Sequence, residues 1–213
     1  MAAPSTPPPL SEPPESPDAP DPPDPSEPSE PTGSPGSSPQ LRLRAMTAAD
    51  LPLMCRWLGA AHVHRWWHDS AEPAAVRAHY LPAIEGAEPS HPLIAELPAG
   101  PIGFGQWYRW ADYSEYGRQL DAAPDEAGLD YLIGEREYCG RGLGTRLIAE
   151  LISYVREQDP TVGGVVVDPE AANTASRRVL EKNGLRLVAI RQVIDPEAPP
   201  TGPSAIYRRR FPG

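Results

Sequence analysis

The sequence contains few of the features that mark secreted, metal-binding or membrane proteins. Its two cysteines, Cys55 and Cys139, are far apart in the chain, so a disulfide framework and a cysteine-based metal site are both disfavoured. No hydrophobic run approaches the length of about 18 residues that a membrane-spanning helix needs. The start of the chain also lacks the basic and apolar segments of a signal peptide. We therefore expect a soluble protein of a reducing compartment, the cytoplasm.

Positive charge is missing from the first forty residues. Residues 1–40 hold fifteen of the thirty prolines and seven carboxylates, but no lysine or arginine. Such a segment cannot bury enough apolar surface to offset the entropy that it would lose on ordering. We expect a disordered, proline-rich acidic tail over residues 1–40, either without specific function or recognised by a proline-binding partner. One folded domain is expected over residues 41–213.

The folded part of the chain carries little net charge. The tail accounts for seven negative charges of the total of −10, which leaves −3 for the remaining 173 residues. No strong positive field remains to attract a phosphate backbone, so binding to DNA or RNA is disfavoured.

Strand and helix patterns alternate after residue 40. Strict alternation predicts a first strand over residues 41–46, and a capping box that begins at Thr47 predicts the first helix. Ser70 is expected to cap a second helix, which Pro82 should kink or end. A hairpin is predicted over residues 92–110. The later pattern predicts strands at 128–133, 162–168, 185–193 and 204–211, and helices at 142–158 and 171–183. This order predicts a single mixed sheet with helices packed against it.

An acidic loop is expected after the hairpin. Residues 111–127 carry five carboxylates against the single Arg118. Long loops in compact domains are usually functional or disordered. We expect this one to lie as a negative flap over a neighbouring site, where it would favour a polycation, or else to be a solvated loop.

A glycine-rich turn joins a strand directly to a helix within the stretch Asp130–Leu147. Gly140, Gly142 and Gly144 remove side chains where the backbone turns, and they leave N–H groups at the positive end of the helix dipole. This pattern predicts a pyrophosphate site. It is not a P-loop, because threonine rather than lysine follows Gly144, and the G-x-G-x-G spacing disfavours a Rossmann turn. A turn without a ligand is the alternative.

The turn resembles the acyl-CoA-binding motif of the GNAT superfamily, Arg/Gln-x-x-Gly-x-Gly/Ala. Gly142 and Gly144 match its glycines, and Cys139 stands where Arg or Gln is usual. Residues 168–173 and 176–184 resemble the second half of the superfamily motif. The resemblance implies an α+β GNAT fold with a mixed, mostly antiparallel sheet. It also implies acetyl-CoA as co-substrate, a small-molecule amine as acceptor, and no metal.

Within the superfamily, the resemblance is closest to aminoglycoside 6′-N-acetyltransferases, enzymes of antibiotic resistance, and it covers about residues 41–211. It implies Asp130 as the catalytic carboxylate. The cofactor-binding residues that it implies are Leu132, Ile133, Gly140, Arg141, Gly142, Leu143, Gly144, Thr145 and Asn173. The expected substrate-binding residues are Trp66, Trp67, Asp69, Tyr108 and Asp168.

Acetyl transfer needs an amine that has lost its proton and a route out for the thiolate. Asp130 could accept that proton or attract the cationic amine, since a carboxylate with a pKa near ~4 is a weak base. The sequence departs from the group at Leu180, where the 6′-acetyltransferases carry a tyrosine thought to protonate the departing sulfur. With a thiol pKa of about 8.5, coenzyme A can leave as thiolate, so the loss should slow catalysis without preventing it. Water, Tyr131 or Tyr207 are the alternative donors.

The stretch around Trp66 and Trp67 is open to several interpretations. The two rings could stack on sugars or pack in the core. His62, His64 and His68 suggest a metal only weakly, because no cysteine is near and their spacing matches no known site.

Two other functions are consistent with the sequence. An N-acyltransferase of siderophore assembly, acting on a lysine-like amine, shares the Trp-Trp-His68 neighbourhood, although the catalytic position there is often histidine and here is Asp130. A catalytically inactive CoA-binding or interaction module is the second alternative, supported by Leu180 and the proline-rich tail.

Overall fold

The computed structural model describes residues 40–194 and 201–212. The expected disordered tail therefore lies outside the described residues, apart from Gln40. The predicted strand at 185–193 and the strand at 204–211 both fall within the described ranges.

Seven strands form one mixed sheet. They are β1 Arg42–Ala45, β2 His91–Leu97, β3 Gly100–Arg109, β4 Glu126–Ile133, β5 Gly164–Val167, β6 Arg186–Arg191 and β7 Ser204–Arg210. Their spatial order is β1-β2-β3-β4-β5-β7-β6. Every neighbouring pair is antiparallel except β4 with β5, which is parallel. The expected α+β fold with a mixed, mostly antiparallel sheet is confirmed.

Six α-helices connect these strands in the described ranges. They are α1 Leu51–Leu58, α2 Ala61–His64, α3 Pro73–Ile84, α4 Ser114–Gln119, α5 Leu143–Gln158 and α6 Thr174–Lys182. The pattern of apolar residues predicted α1, α3, α5 and α6, whereas the short helices α2 and α4 were missed. In the part of the chain that the structure describes, none of the helices is long and apolar enough to cross a bilayer.

The predicted Ser70 cap of α3 was wrong, and of the two effects predicted for Pro82, a kink or an end, the end was wrong. The helix begins at Pro73, and the Ser70 hydroxyl instead accepts a hydrogen bond from the Glu72 amide at 3.2 Å. Pro82 does not end the helix, which continues to Ile84. The packing of Val76 and Tyr80, which are 1% and 2% exposed, holds the helix in place although Pro82 lacks an amide donor.

Side chains on the two faces of the sheet pack against different helices. Phe104 and Leu132 share a cluster with residues of α1 and α3, whereas Trp107 and Leu129 share one with residues of α5. Because side chains alternate along a strand, even-numbered residues of β4, and of β3 from Phe104 onward, face away from α5, whereas odd-numbered residues face α5. Asp130 and its neighbour Tyr131 therefore leave the sheet on opposite faces.

Strands β4 and β5 diverge, and we call the space between them the β4–β5 wedge. They pair only at Glu126–Gly164 and Ala127–Val165, so residues 128–133 of β4 have no partner on that side. The Trp110 amide bonds to the Glu126 carbonyl at 3.1 Å. Hydrogen-bonded pairs recur at every second residue of an antiparallel pair, so the amides and carbonyls of the even-numbered β4 residues point to β3. The backbone groups of residues 129, 131 and 133 therefore face the wedge.

Candidate active site

The glycine-rich turn has two residues whose backbone conformation strongly favours glycine. Gly140 and Gly142 have φ values of 77° and 79°, and a Cβ on either would meet no atom within 4 Å. Their role is therefore backbone conformation rather than packing. Gly144 differs, since a Cβ there would lie 3.4 Å from Cγ2 of Val179 on α6.

Three backbone amides are available where α5 begins. The Arg146 amide bonds to the Gly142 carbonyl at 3.2 Å. Preceding it, the amides of Leu143, Gly144 and Thr145 have no acceptor in the described structure. They lie at the positive end of the dipole of a 16-residue helix. With the exposed Arg141 beside them, these amides fit a diphosphate.

A clamp from α1 fixes the start of this turn. Gly134 lies flat on the indole of Trp57, where a Cβ would come within 2.2 Å of the ring. The Trp57 Nε1–H donates to Oε1 of Glu135 at 3.0 Å, and Arg56 pairs with the same carboxylate. These contacts lower the pKa of Glu135, with the Trp57 hydrogen bond as the largest cause.

The wedge offers hydrogen-bonding groups from β4 and from α6. The Ile133 amide faces the wedge, and the Ile133 carbonyl already contacts Nε2 of His62 at 3.0 Å. The backbone of Leu132 points to β3, and its side chain is 7% exposed. The backbone of Leu132 therefore does not face the wedge, whereas that of Ile133 does. Asn173 caps α6, where its Oδ1 accepts a hydrogen bond from the Ser176 amide at 3.1 Å.

Asp130 lies half-buried on the face of β4 opposite the one that packs on α5. Its Oδ2 accepts a hydrogen bond from Nε2 of Gln106 at 2.8 Å. Burial raises the pKa of Asp130, and the negative charge of Asp69 adds to the rise, while the hydrogen bonds from Gln106 and Tyr108 oppose it.

Two further carboxylates lie within electrostatic range of Asp130. Asp69 accepts hydrogen bonds from Trp67 Nε1 at 3.0 Å and from the Tyr80 hydroxyl at 2.9 Å. Asp168 accepts one from the Tyr116 hydroxyl at 3.0 Å. Burial raises the pKa of Asp168 to about 7, and the charge of Asp130 contributes to the rise. We call Asp69, Asp130 and Asp168 the acidic cluster.

Aromatic rings line the acidic cluster. Tyr108 lies directly over Gly128, where a Cβ would come within 2.3 Å of the phenol ring. The edges of Trp110 and Tyr113 meet Tyr108 with ring centroids 5.1 and 4.9 Å apart. Burial raises the pKa of Tyr108, and the charges of Asp130 and Asp168 raise it further. The site thus combines negative charge with ring faces, which suits a cationic organic ligand.

The family of this chain follows from a match to a known domain family. The sequence model of the acetyltransferase (GNAT) domain matches residues 46–193. The chain belongs to the GNAT acetyltransferase family. It is an acetyl-CoA-dependent acetyltransferase, and the free amides at the start of α5 fit the diphosphate of that co-substrate.

Two curated relatives of this GNAT protein have named activities. The aminoglycoside N(6′)-acetyltransferase type 1 of Klebsiella pneumoniae is 33% identical over 151 residues, which cover 70% of this chain and 75% of that protein. The lysine N-acyltransferase MbtK of Mycolicibacterium paratuberculosis is 28% identical over 154 residues, covering 72% of this chain and 69% of that protein.

Solved structures of the aminoglycoside acetyltransferase AAC(6′)-Ib resemble this chain along most of their length. The complex with coenzyme A superimposes with a TM-score of 0.71, and the complex with coenzyme A and kanamycin with a TM-score of 0.70. Both are 29% identical to this GNAT protein and cover 80% of it and 95% of their own chains.

The structure separates some residues that the sequence placed together. Trp67 joins the acidic cluster through Asp69, whereas the half-buried Trp66 lies under the Arg65 guanidinium at 4.8 Å. None of the contacts in the described ranges connects Trp66 to the three carboxylates. His62 contacts Ile133, and His68 pairs with Glu170 at 2.7 Å. Across residues 40–194 and 201–212, no group of potential ligands is close enough to hold a metal ion.

The expectation of an acidic flap over residues 111–127 was wrong. The segment contains α4, and most of its carboxylates are paired with arginines of β6 and β7. The pairs are Asp121 with Arg191, Asp125 with Arg210, and Glu126 with Arg208 and Arg210. Glu126 is 1% exposed and belongs to β4. The segment contributes two tyrosines to the site instead. Tyr116 on α4 donates a hydrogen bond to Asp168, and Tyr113 contacts the ring of Tyr108.

Four residues of the site were missed from the sequence. Gln106 contacts Asp130, Tyr80 contacts Asp69, and Tyr113 and Tyr116 contact Tyr108 and Asp168 respectively. The alternation of β3 places Gln106 and Tyr108 on one face of the sheet. With the register of β3 on β4 known, the same alternation would have predicted that Gln106 lies beside Asp130. No comparable signal existed for Tyr113 and Tyr116, because α4 was not predicted.

Proposed function

We propose that this acetyltransferase transfers the acetyl group of acetyl-CoA to a primary amine of a polycationic acceptor, the 6′-amine of an aminoglycoside antibiotic. In the cytoplasm this reaction would inactivate the drug. The observation that carries the proposal is the convergence of Asp69, Asp130 and Asp168 on one face of the sheet beside the β4–β5 wedge. Several carboxylates in a partly desolvated cleft attract a polycation more strongly than a single-charge amine.

Asp130 is the proposed catalytic residue. It lies on the strand that borders the wedge, and burial raises its pKa above the value of a free aspartate. A carboxylate with a raised pKa is a better acceptor for the proton of an ammonium group. Its charge also favours the cationic acceptor before the proton leaves.

The other predicted residues receive roles that follow from their positions. Free amides of Leu143, Gly144 and Thr145 are proposed to bind the diphosphate, with Gly140 and Gly142 shaping the turn and Arg141 adding positive charge. Ile133 and Asn173 are proposed to contact the pantetheine arm. Asp69, Asp168, Trp67 and Tyr108 are proposed to hold the acceptor, and for Leu132 and Trp66 the contacts offer less support.

A lysine-type acceptor, as in siderophore assembly, is the second candidate because MbtK is among the relatives. Free lysine carries a carboxylate of its own. The acidic cluster would repel that group, with no compensating arginine pair among the contacts described around the three carboxylates. The charge of the site therefore favours the aminoglycoside.

The inactive-module alternative makes a different prediction. Leu180 is fully buried in the cluster under α5 and supplies no acid. A module without activity would bind coenzyme A and release no thiol with any amine.

Thiol release from acetyl-CoA tests the three functions together. Purified protein is supplied with kanamycin, with hydroxylysine, or with no acceptor. We expect turnover with kanamycin that falls at least about a hundredfold in Asp130→Asn, as for loss of a general base. Asp121→Asn, which breaks only the exposed pair with Arg191, is the matched control and should retain activity.

Each outcome of this assay supports one function. Turnover restricted to hydroxylysine would replace the proposed acceptor by the lysine-type amine. Saturable coenzyme A binding without release from any acceptor would support the inactive module.

A further inference from the structure

Acetyl transfer needs one group for the amine and another for the departing sulfur, and β4 presents adjacent residues to opposite faces. Asp130 leaves the sheet toward the acidic cluster. Tyr131 leaves it toward the cluster formed with α5 and α6, against which its ring packs. Between the two side chains, the backbone of Tyr131 faces the wedge.

The Tyr131 hydroxyl meets α6 at its first turn. It lies 2.5 Å from Oγ of Ser176 and 3.5 Å from the Ser176 carbonyl. Ser176 can donate its own hydroxyl proton to the phenol oxygen. The phenol proton of Tyr131 is then directed at the Ser176 carbonyl, and at 3.5 Å this bond is weak enough to be exchanged for a nearer acceptor.

The other tyrosine hydroxyl near α6, that of Tyr207, already has a donor and an acceptor. Tyr207 donates to Oε1 of Glu181 at 2.6 Å and accepts from Nε of Arg177 at 3.1 Å. Both partners lie on α6, so this phenol is part of the structure that holds α6 to β7. One turn beyond Ser176, Leu180 presents only an apolar side chain.

We infer that Tyr131 donates a hydrogen bond to the sulfur of coenzyme A as the thioester breaks, and that Ser176 orients the phenol for this contact. The amine nitrogen forms the C–N bond, and the electron pair of the C–S bond goes to sulfur. The proton of the amine leaves to Asp130 or to water. Tyr131 keeps its proton and stabilises the thiolate through the hydrogen bond alone.

The surroundings of Tyr131 keep it a donor. Burial raises its pKa, and the charges of Asp130 on its own strand and of Tyr207 on β7 add to the rise, opposed by the Ser176 hydrogen bond. Since a free thiol has a pKa of about 8.5, the thiolate cannot remove the phenol proton. A protonated phenol is therefore present throughout the pH range in which the enzyme works.

The thiol of bound coenzyme A provides a direct test that needs no acceptor. The ultraviolet absorbance of the thiolate is followed against pH in the complex of the full chain with coenzyme A. We expect the bound thiol to titrate about one unit below the value measured for free coenzyme A in the same buffer, because a hydrogen bond to the charged form lowers the pKa. Tyr131→Phe should return the titration to the solution value.

Tyr207→Phe is the matched control, since it removes a phenol hydroxyl beside α6 that is already bonded to Glu181 and Arg177. It should leave the thiol titration unchanged. With kanamycin as acceptor, Tyr131→Phe should lower kcat about ten- to a hundredfold, as for a hydrogen bond to a charged group, with little change in KM for acetyl-CoA. Calorimetric binding of coenzyme A and the melting temperature check that the variant is folded.

A wild-type complex whose thiol titrates at the solution value would overturn the inference without any variant. So would a titration that is lowered equally in wild type and Tyr131→Phe. The inference rests on acetyl transfer from acetyl-CoA and not on the acceptor. If kanamycin is not a substrate, the titration still decides the role of Tyr131.

Discussion

Asp168, a member of the acidic cluster, changes its charge near neutral pH. Its folded pKa of about 7 lies above the ordinary value of 3.8. Between about pH 4 and pH 7, the folded chain therefore keeps a proton that the unfolded chain releases. The stability that this group contributes falls as the pH rises through that window, while its attraction for a cationic acceptor increases.

Replacing Asp168 should therefore improve stability while weakening acceptor binding. Asp168→Asn keeps an oxygen for the Tyr116 hydroxyl but removes the charge. We expect the melting temperature of the variant minus that of wild type to be more positive at pH 8 than at pH 5. The KM for kanamycin should rise about tenfold, as for a lost charged contact. A difference in melting temperature between variant and wild type that is the same at both pH values would contradict this account of Asp168.

Gly142 permits a second test at the level of a single residue. Its φ of 79° costs an alanine about 1 kcal/mol or more. Gly86, after α3, has a φ of 74° and equally open surroundings, so Gly86→Ala is a matched control. Both variants should lower the free energy of unfolding by about 1 kcal/mol, measured by urea denaturation.

Coenzyme A should distinguish the two glycine variants. Of the two variants, only Gly142→Ala should show weaker binding by calorimetry, because Gly142, unlike Gly86, lies in the turn before the free amides of α5. Equal affinity in both variants would mean that this turn does not hold the diphosphate.

Helix α1 is expected to affect the proposed co-substrate site through the Trp57 clamp. Trp57→Phe keeps a ring under Gly134 but loses the Nε1–H bond to Glu135. We expect a loss of about 1 kcal/mol in stability and a several-fold higher KM for acetyl-CoA, with kcat unchanged. A change confined to kcat would instead place Trp57 in the chemistry and contradict its role in positioning the turn.

Long elements were predictable from the sequence because their apolar periodicity records which face is buried. Helix α5 illustrates this, since Leu143, Leu147 and Leu151 follow one stripe and all pack on the sheet. Helices α2 and α4 are four and six residues long, which is too short for periodicity to appear. Tertiary contacts determine them, such as the contact of Tyr116 with Asp168.

The site was predictable where it is local in sequence and not where it depends on register. The turn from Gly140 to Thr145 is one continuous segment, and its free amides follow from a helix start. The pairing of Gln106 with Asp130 depends on how β3 aligns with β4, which the sequence does not state. The proximity of Asp168 to Asp130 likewise depends on β5 lying beside β4.

Over the whole molecule, negative charge prevails, with a net charge of −10. Its field and the acidic cluster should together attract a polycationic acceptor, and salt screens such attraction, since the Debye length is about 10 Å at 0.1 M. We expect KM for kanamycin to rise roughly threefold or more between about 0.05 and about 0.5 M salt. Acetyl-CoA, which is anionic, serves as the internal control, and its KM should rise less, because salt also screens its repulsion by the negative chain. A KM for kanamycin that stays constant with salt would argue against a polycationic acceptor.

The alternation of β4 has a consequence for how such an enzyme diversifies. Under the proposed assignment of the site, substitutions at its even-numbered positions would alter what the acceptor meets, and substitutions at odd-numbered positions would alter what the thioester meets. Selection for a new acceptor could therefore proceed on one side of a single strand while the transfer chemistry on the other side is inherited intact.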